Sequence, residues 1–153
     1  ENVSKDNDDY FKFPKEGNYT VTFVPESLKV TIKYNGKRSD WKPDTNYDMD
    51  GMYLYGPTWG WGLADVQAMT TTDNDTYIYK GNIKKGDGFK IMCKKDKWWP
   101  AFVPDAADAS KMAYHKSKDE GDAYWGIAED GYYTVTAVLS TLEISIVRNG
   151  DMQ

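Results

Sequence analysis

The sequence predicts an all-β fold, an immunoglobulin-like antiparallel β-sandwich preceded by a partial copy of the closing hairpin of a similar module. Three observations predict it. Apolar residues alternate with period two along many short stretches, turn-forming clusters separate those stretches, and one hairpin-like segment occurs twice. Helical periodicity nowhere lasts beyond about one turn.

The repeat sets the layout. GNYTVTFVPESLKVTIKYNG (17–36) aligns without gaps on GYYTVTAVLSTLEISIVRNG (131–150), at an offset of 114 with ten of twenty positions identical. Tyr19, Val21 and Phe23 share one strand face, and Leu28, Val30 and Ile32 share one on the next strand. Tyr133, Val135, Ala137 and then Leu142, Ile144, Ile146 repeat the pattern. These are half-buried antiparallel strands joined by PES in one copy and LST in the other.

Only the second copy has a full module ahead of it. Residues 51–150 match the usual size of such a sandwich, about 100 residues. Residues 1–36 are therefore expected to be the C-terminal hairpin of a preceding, truncated module, with 37–50 (KRSDWKPDTNYDMD) as linker and 51–150 as the complete domain. The rival expectation docks the first hairpin on the complete module as extra edge strands. Within the module, strands are expected near 52–56, 65–71, 76–81, 88–93, 98–103, 111–115, 123–127, 131–138 and 142–148. TDND, KKGDG, KKDK and EDG supply turns between them.

Charge and composition narrow the function. The net charge is −5, and Lys and Arg are scattered, so no basic stripe could track a phosphate backbone and nucleic acid is a poor partner. Cys93 is the sole cysteine, so no internal disulfide can form, and its place in GFKIMC reads as a small core residue. His115 is the only other zinc ligand of the nitrogen or sulfur type, and it lies in AYHKSK without a nucleophile motif nearby. Asp73, Asp75, Asp105 and Asp108 read as turn formers rather than calcium ligands. No metal, cofactor or catalytic residue is expected. A glycosidase would need two carboxyl groups about 5–10 Å apart beside an aromatic face.

The tryptophans carry more information. Six stand at 41, 59, 61, 98, 99 and 125, more than a core of this size requires. Trp125 aligns with Phe11, and Ile127 with Phe13, so Trp125 is expected in the core. Neighbours on a strand point to opposite faces. If FKIMC and WWPAF form a hairpin across KKDK, Cys93 pairs with Trp98 and Met92 with Trp99. Trp98 would then go inward with Phe89, Ile91 and Cys93, leaving Lys90, Met92 and Trp99 outside. A slip of one residue exchanges the two rings. An exposed indole suits the C–H-rich face of a pyranose, and Lys90 could donate to a hydroxyl. Trp59 and Trp61, in the glycine-flanked GPTWGWGL, could set a ring on the same rim. The alternative is that Trp61 plugs the end of the sandwich and Trp59 is a plain loop residue.

In order, GMYLYGPTWGWGL, TYIYKGNIKKGDGFKI, KWWPAFVPD and EDGYYTVTAVLSTLEISI resemble the SusE/SusF family of outer-membrane starch-binding lipoproteins over about 51–148. The resemblance implies a non-catalytic module that binds polysaccharide, α-glucan foremost, on the extracellular face of the outer membrane. It implies work beside a glycan importer and attachment only through a lipid anchor that this chain does not contain. It also implies a site of two aromatic side chains and a basic residue. Here these are Trp61, Lys90 and Trp99 or Trp98, with Trp59 as an extra ring in a shortened turn. Some domains of the family act as spacers, so a structural or adhesion role without a sugar site is the alternative.

Overall fold

The computed structural model describes residues 4–5, 11–13, 17–36 and 47–153. The chain divides into two compact units, Glu1–Lys42 and Pro43–Gln153. In the first unit, β1 (Ser4–Lys5) pairs with β2 (Phe11–Lys12) and β3 (Asn18–Val24) pairs with β4 (Lys29–Gly36), both antiparallel.

The second unit is a β-sandwich. One sheet runs β11–β10–β9–β5–β6, built from β5 (Tyr53–Tyr55), β6 (Gln67–Ala68), β9 (Gly86–Lys94), β10 (Lys97–Pro104) and β11 (Met112–His115). A sixth strand, β12 (Trp125–Ile127), pairs with the start of β9, Trp125 opposite Phe89. The other sheet runs β14–β13–β8–β7, from β7 (Thr70–Thr71), β8 (Thr76–Ile83), β13 (Gly131–Val138) and β14 (Glu143–Gly150).

The alternation read from the sequence is the one the sheets use. Along β13, Tyr133, Val135 and Ala137 are buried while Tyr132, Thr134 and Thr136 are half-exposed. They pack with Tyr77, Ile83 and Ile144 of their own sheet against Leu54, Phe89, Ile91, Cys93, Phe102 and Trp125 of the other. Each fully buried Val, Leu, Ile or Phe side chain among them contributes about 1.5–3 kcal/mol relative to exposure. Trp125 lies in this core, its indole Nε1 donating to the Ala109 carbonyl at 2.8 Å. Cys93 is also fully buried, and burial pushes its thiol well above the ordinary value.

Three details differ from expectation. Residues 47–50 are not linker: Tyr47 and Met49 pack on the core, and the Asp50 amide donates to the Cys93 carbonyl at 2.9 Å. The remainder of the expected linker lies outside the described residues. The β9–β10 turn is tighter than KKDK, since Lys94 already pairs with Lys97. Beyond it the register shifts, with Met92 opposite Ala101 and Ile91 opposite Phe102. Trp98, Trp99 and Pro100 thus stand opposite Cys93 alone, so the expected pairs Cys93–Trp98 and Met92–Trp99 do not form. Proline brings no N–H to a ladder, and a bulge is where a strand tolerates it.

The two copies of the repeated segment have the same register. Tyr19 faces Tyr34 as Tyr133 faces Arg148, and both ladders shift at the same place, before Tyr19 and before Tyr133. Leu28 and Leu142 both adopt left-handed backbone, at φ 50° and 55°. Asn35 Nδ2 donates to Thr20 Oγ1 at 2.7 Å, and Asn149 Nδ2 donates to Thr134 Oγ1 at 2.8 Å.

Candidate functional site

Strand β9 is buried on both faces from Gly88 to Cys93. Phe89, Ile91 and Cys93 look into the sandwich. Lys90 and Met92 lie on the other side of the sheet, where Tyr55 stands opposite Lys90 and Tyr53 opposite Met92. An ammonium group on that face must be solvated by something, and here protein replaces water.

Only 2% of the Lys90 side chain is exposed. Its Nζ donates to Asp122 Oδ1 at 2.8 Å and lies 4.1 Å from the centre of the Trp99 ring. The rings of Tyr124 and Tyr55 follow at 5.3 and 5.7 Å. Removing an ammonium from water costs several kcal/mol, which a carboxylate partner and facing π-systems offset. Lys90 is therefore a fixed centre beneath an aromatic cluster. The sequence-based expectation of an open donor beside an indole is corrected in this respect.

The loop after β5 brings the next ring. Gly56 bridges to Gly60, the Trp59 amide donates to the Gly56 carbonyl at 3.3 Å, and the Gly60 amide donates to the Pro57 carbonyl at 3.3 Å. Gly56 passes so near the Gly88 carbonyl that a side chain would collide with it, and Gly60 has φ +95°. Both positions need glycine. Tyr55 Oη donates to the Trp61 carbonyl at 3.1 Å, and the Trp61 ring meets Tyr55 and Tyr124 nearly edge-on, at 5.4 and 5.7 Å. Trp61 remains 49% exposed.

Trp61, Lys90 and Trp99 thus belong to one cluster, linked through Tyr55 and Tyr124. Trp99 is half-buried over Lys90, while Trp98 is 49% exposed and not in the core. The expected roles of the two rings at the bulge are corrected accordingly. Trp59 points the other way from Trp61. It packs against the core and meets Tyr79 at 5.6 Å with planes at 82°. Burial raises the Tyr79 phenol above its ordinary value, and a hydrogen bond from Trp59 opposes part of that rise. Trp59 is the plug and Trp61 the exposed ring, the reverse of the alternative read from the sequence.

The sequence pattern does not single out Asp122 or Tyr124. A signal for Tyr124 is nonetheless present: with Trp125 inward and opposite Phe89, its neighbour falls on the side of Lys90. The loop that carries both is tied down. His115 Nδ1 pairs with the Gly121 carbonyl at 2.8 Å, and the Lys116 amide donates to Glu120 Oε2 at 2.9 Å.

Of the aspartates read as turn formers, Asp73, Asp105 and Asp108 behave as such, while the Asp75 side chain is a buried long-range anchor. Asp73 Oδ1 accepts from the Asp75 and Thr76 amides, Asp105 Oδ1 from Ala107 and Asp108, and Asp108 Oδ1 from Ser110. Buried Asp75 accepts from the amide and hydroxyl of Ser140 at 2.8 and 2.9 Å, holding the β13–β14 turn to the start of β8. Among the described residues, no group of three His, Cys, Asp or Glu is placed to hold a metal ion, and no helix is long and apolar enough to cross a membrane. Comparison with protein-family models, with curated proteins and with solved structures gives no match to this chain.

Proposed function

We propose that the module binds a glycan without transforming it, α-glucan being the leading ligand, with Trp61 and the rim of Trp99 as the stacking surface. The observation that carries this reading is a half-exposed Trp61 joined through Tyr124 to the Lys90–Trp99 centre. Exposed indole on a rigid support is costly to solubility and is well used when it receives an apolar sugar face. The resemblance to SusE/SusF domains supports the same ligand. It extends the proposal to a lipid-anchored protein on the extracellular face of the outer membrane, feeding a glycan importer. Shallow stacking on one or two rings binds weakly, and repeated modules raise avidity through effective concentration.

The second reading is a spacer or adhesion sandwich with no sugar site. What favours it is the burial of Lys90, whose charge is already met by Asp122. Affinity electrophoresis in gels containing soluble starch separates the two. Trp61→Ala should abolish retardation while lowering the melting temperature by only a few degrees, because the ring is half in water and loses two edge-on tyrosine contacts. A wild-type protein that no glucan, mannan or xylan retards would give the spacer reading the stronger case.

A further inference from the structure

We propose that Asp122 is the hydrogen-bonding residue of this aromatic site, and that Lys90 is a positioning residue that does not touch the ligand. The inference rests on the glycan reading and assigns the polar chemistry within it. A basic residue is the obvious candidate to meet sugar hydroxyls, but Lys90 is in the wrong place to do so. Its side chain is sealed, one donor is spent on Asp122, and three rings crowd its other approaches.

Asp122 has the opposite character. Its side chain is about a quarter exposed, and it commits Oδ1 to Lys90. Oδ2 has no partner among the described residues. A carboxylate held by one oxygen presents the other as a fixed acceptor, and a hydroxyl donating to it makes a charge-assisted bond. Its position relative to the rings is also set. Asp122 lies two residues before Tyr124, whose ring stands between Lys90 and Trp61. The loop is fastened on the near side by His115 at Gly121, and on the far side by β12 pairing with β9. Lys90 thus orients the acceptor and two of the rings around it from below.

The charge presented to a ligand follows. The cation of the cluster is hidden and the exposed group is the carboxylate, so the chemistry favours a neutral polyhydroxylated chain. A chain of uronic acids would bring its own carboxylates against Asp122.

Affinity electrophoresis against soluble starch and against polygalacturonate tests this with four proteins: wild type, Asp122→Asn, Lys90→Met and Trp61→Ala. Wild type should be retarded by starch and at least tenfold less by polygalacturonate. Asp122→Asn should bind starch about tenfold more weakly, yet lose nothing on polygalacturonate. That change of preference is one that general loosening of the fold would not produce. Lys90→Met should weaken starch binding no more than twofold beyond Asp122→Asn, since its effect passes through that residue. Wild-type binding to the two polymers compares them without any variant, so a variant that misfolds does not leave the proposal unexamined. Starch binding by Asp122→Asn within twofold of wild type overturns it, as does equal wild-type retention by polygalacturonate. If Trp61→Ala abolishes retardation while Asp122→Asn is silent, the stacking reading stands and this assignment fails. If no polymer retards wild type, both fail.

Discussion

The hairpins β3–β4 and β13–β14 have the same ladder, the same shift in register, the same left-handed leucine and the same Asn–Thr bond, yet opposite fates at their apolar face. Val135 and Ala137 are fully buried, whereas their counterparts Val21 and Phe23 are 57% and 56% exposed. β13 has β8 on its free edge and a second sheet across from it. Among the described residues β3 pairs with β4 alone. Local sequence is therefore enough to specify a hairpin's geometry, and the rest of a sandwich is needed to make its apolar face stabilising. A lone two-stranded hairpin is marginal in water, consistent with energy that resides in the face and not in the turn.

The largest test of that contrast places a charge on each face. Val135→Asp should unfold the second unit, losing about 3–5 kcal/mol for an unpaired buried carboxylate. Val21→Asp should change the stability of that unit by less than about 0.5 kcal/mol. Urea denaturation followed by tryptophan fluorescence reads both, and equal effects would remove the distinction between the copies.

A smaller effect comes from moving one residue between copies. Ala137→Phe installs the side chain of the first hairpin in the second. Overpacking against the sealed neighbours of position 137 should cost about 1–3 kcal/mol. The reverse exchange, Phe23→Ala, should leave the urea midpoint of the second unit unmoved.

The smallest effect sharpens the comparison at the turn. A leucine at positive φ carries strain of about 1 kcal/mol that glycine does not. Leu28 is 79% exposed and loses little packing, so Leu28→Gly should slow amide exchange in β3 and β4 up to a few-fold. Leu142 packs against the core, and in Leu142→Gly the lost contact should cancel or outweigh the relief. Exchange rates that respond alike at both turns would show that the leucine side chain contributes nothing to the second copy.

Much of this architecture was readable in the chain. Period-two alternation in 131–138 and 142–148 placed the core of one sheet, and GFKIMC placed the central strand of the other. Alternation breaks down at WWPAF. It assumes an unbroken ladder, but a two-residue turn followed by three residues opposite Cys93 moves the register, and Pro100 is the one sequence mark of it. Lys90 is legible because it lies on a strand whose facing can be counted, whereas Trp61 and Trp99 enter through the glycine-flanked turn and the WWP segment that carry the resemblance. Asp122 is not legible, since it is 32 residues from Lys90 in a polar loop that reads as ordinary surface. Alternation gives Lys90 the correct face but not its burial. Alternation tells which side of a sheet a residue takes, and says nothing of what covers that side.

Cys93 gives the molecule an internal clock for opening. It is the chain's single thiol, lies on the central strand and is shut away from solvent, with ionisation suppressed by burial. An alkylating reagent can reach it only when strand β9 is laid bare, so the rate of its modification counts separations of the two layers. The residue least suited to chemistry in the folded state thus becomes the one that records how often that state is lost.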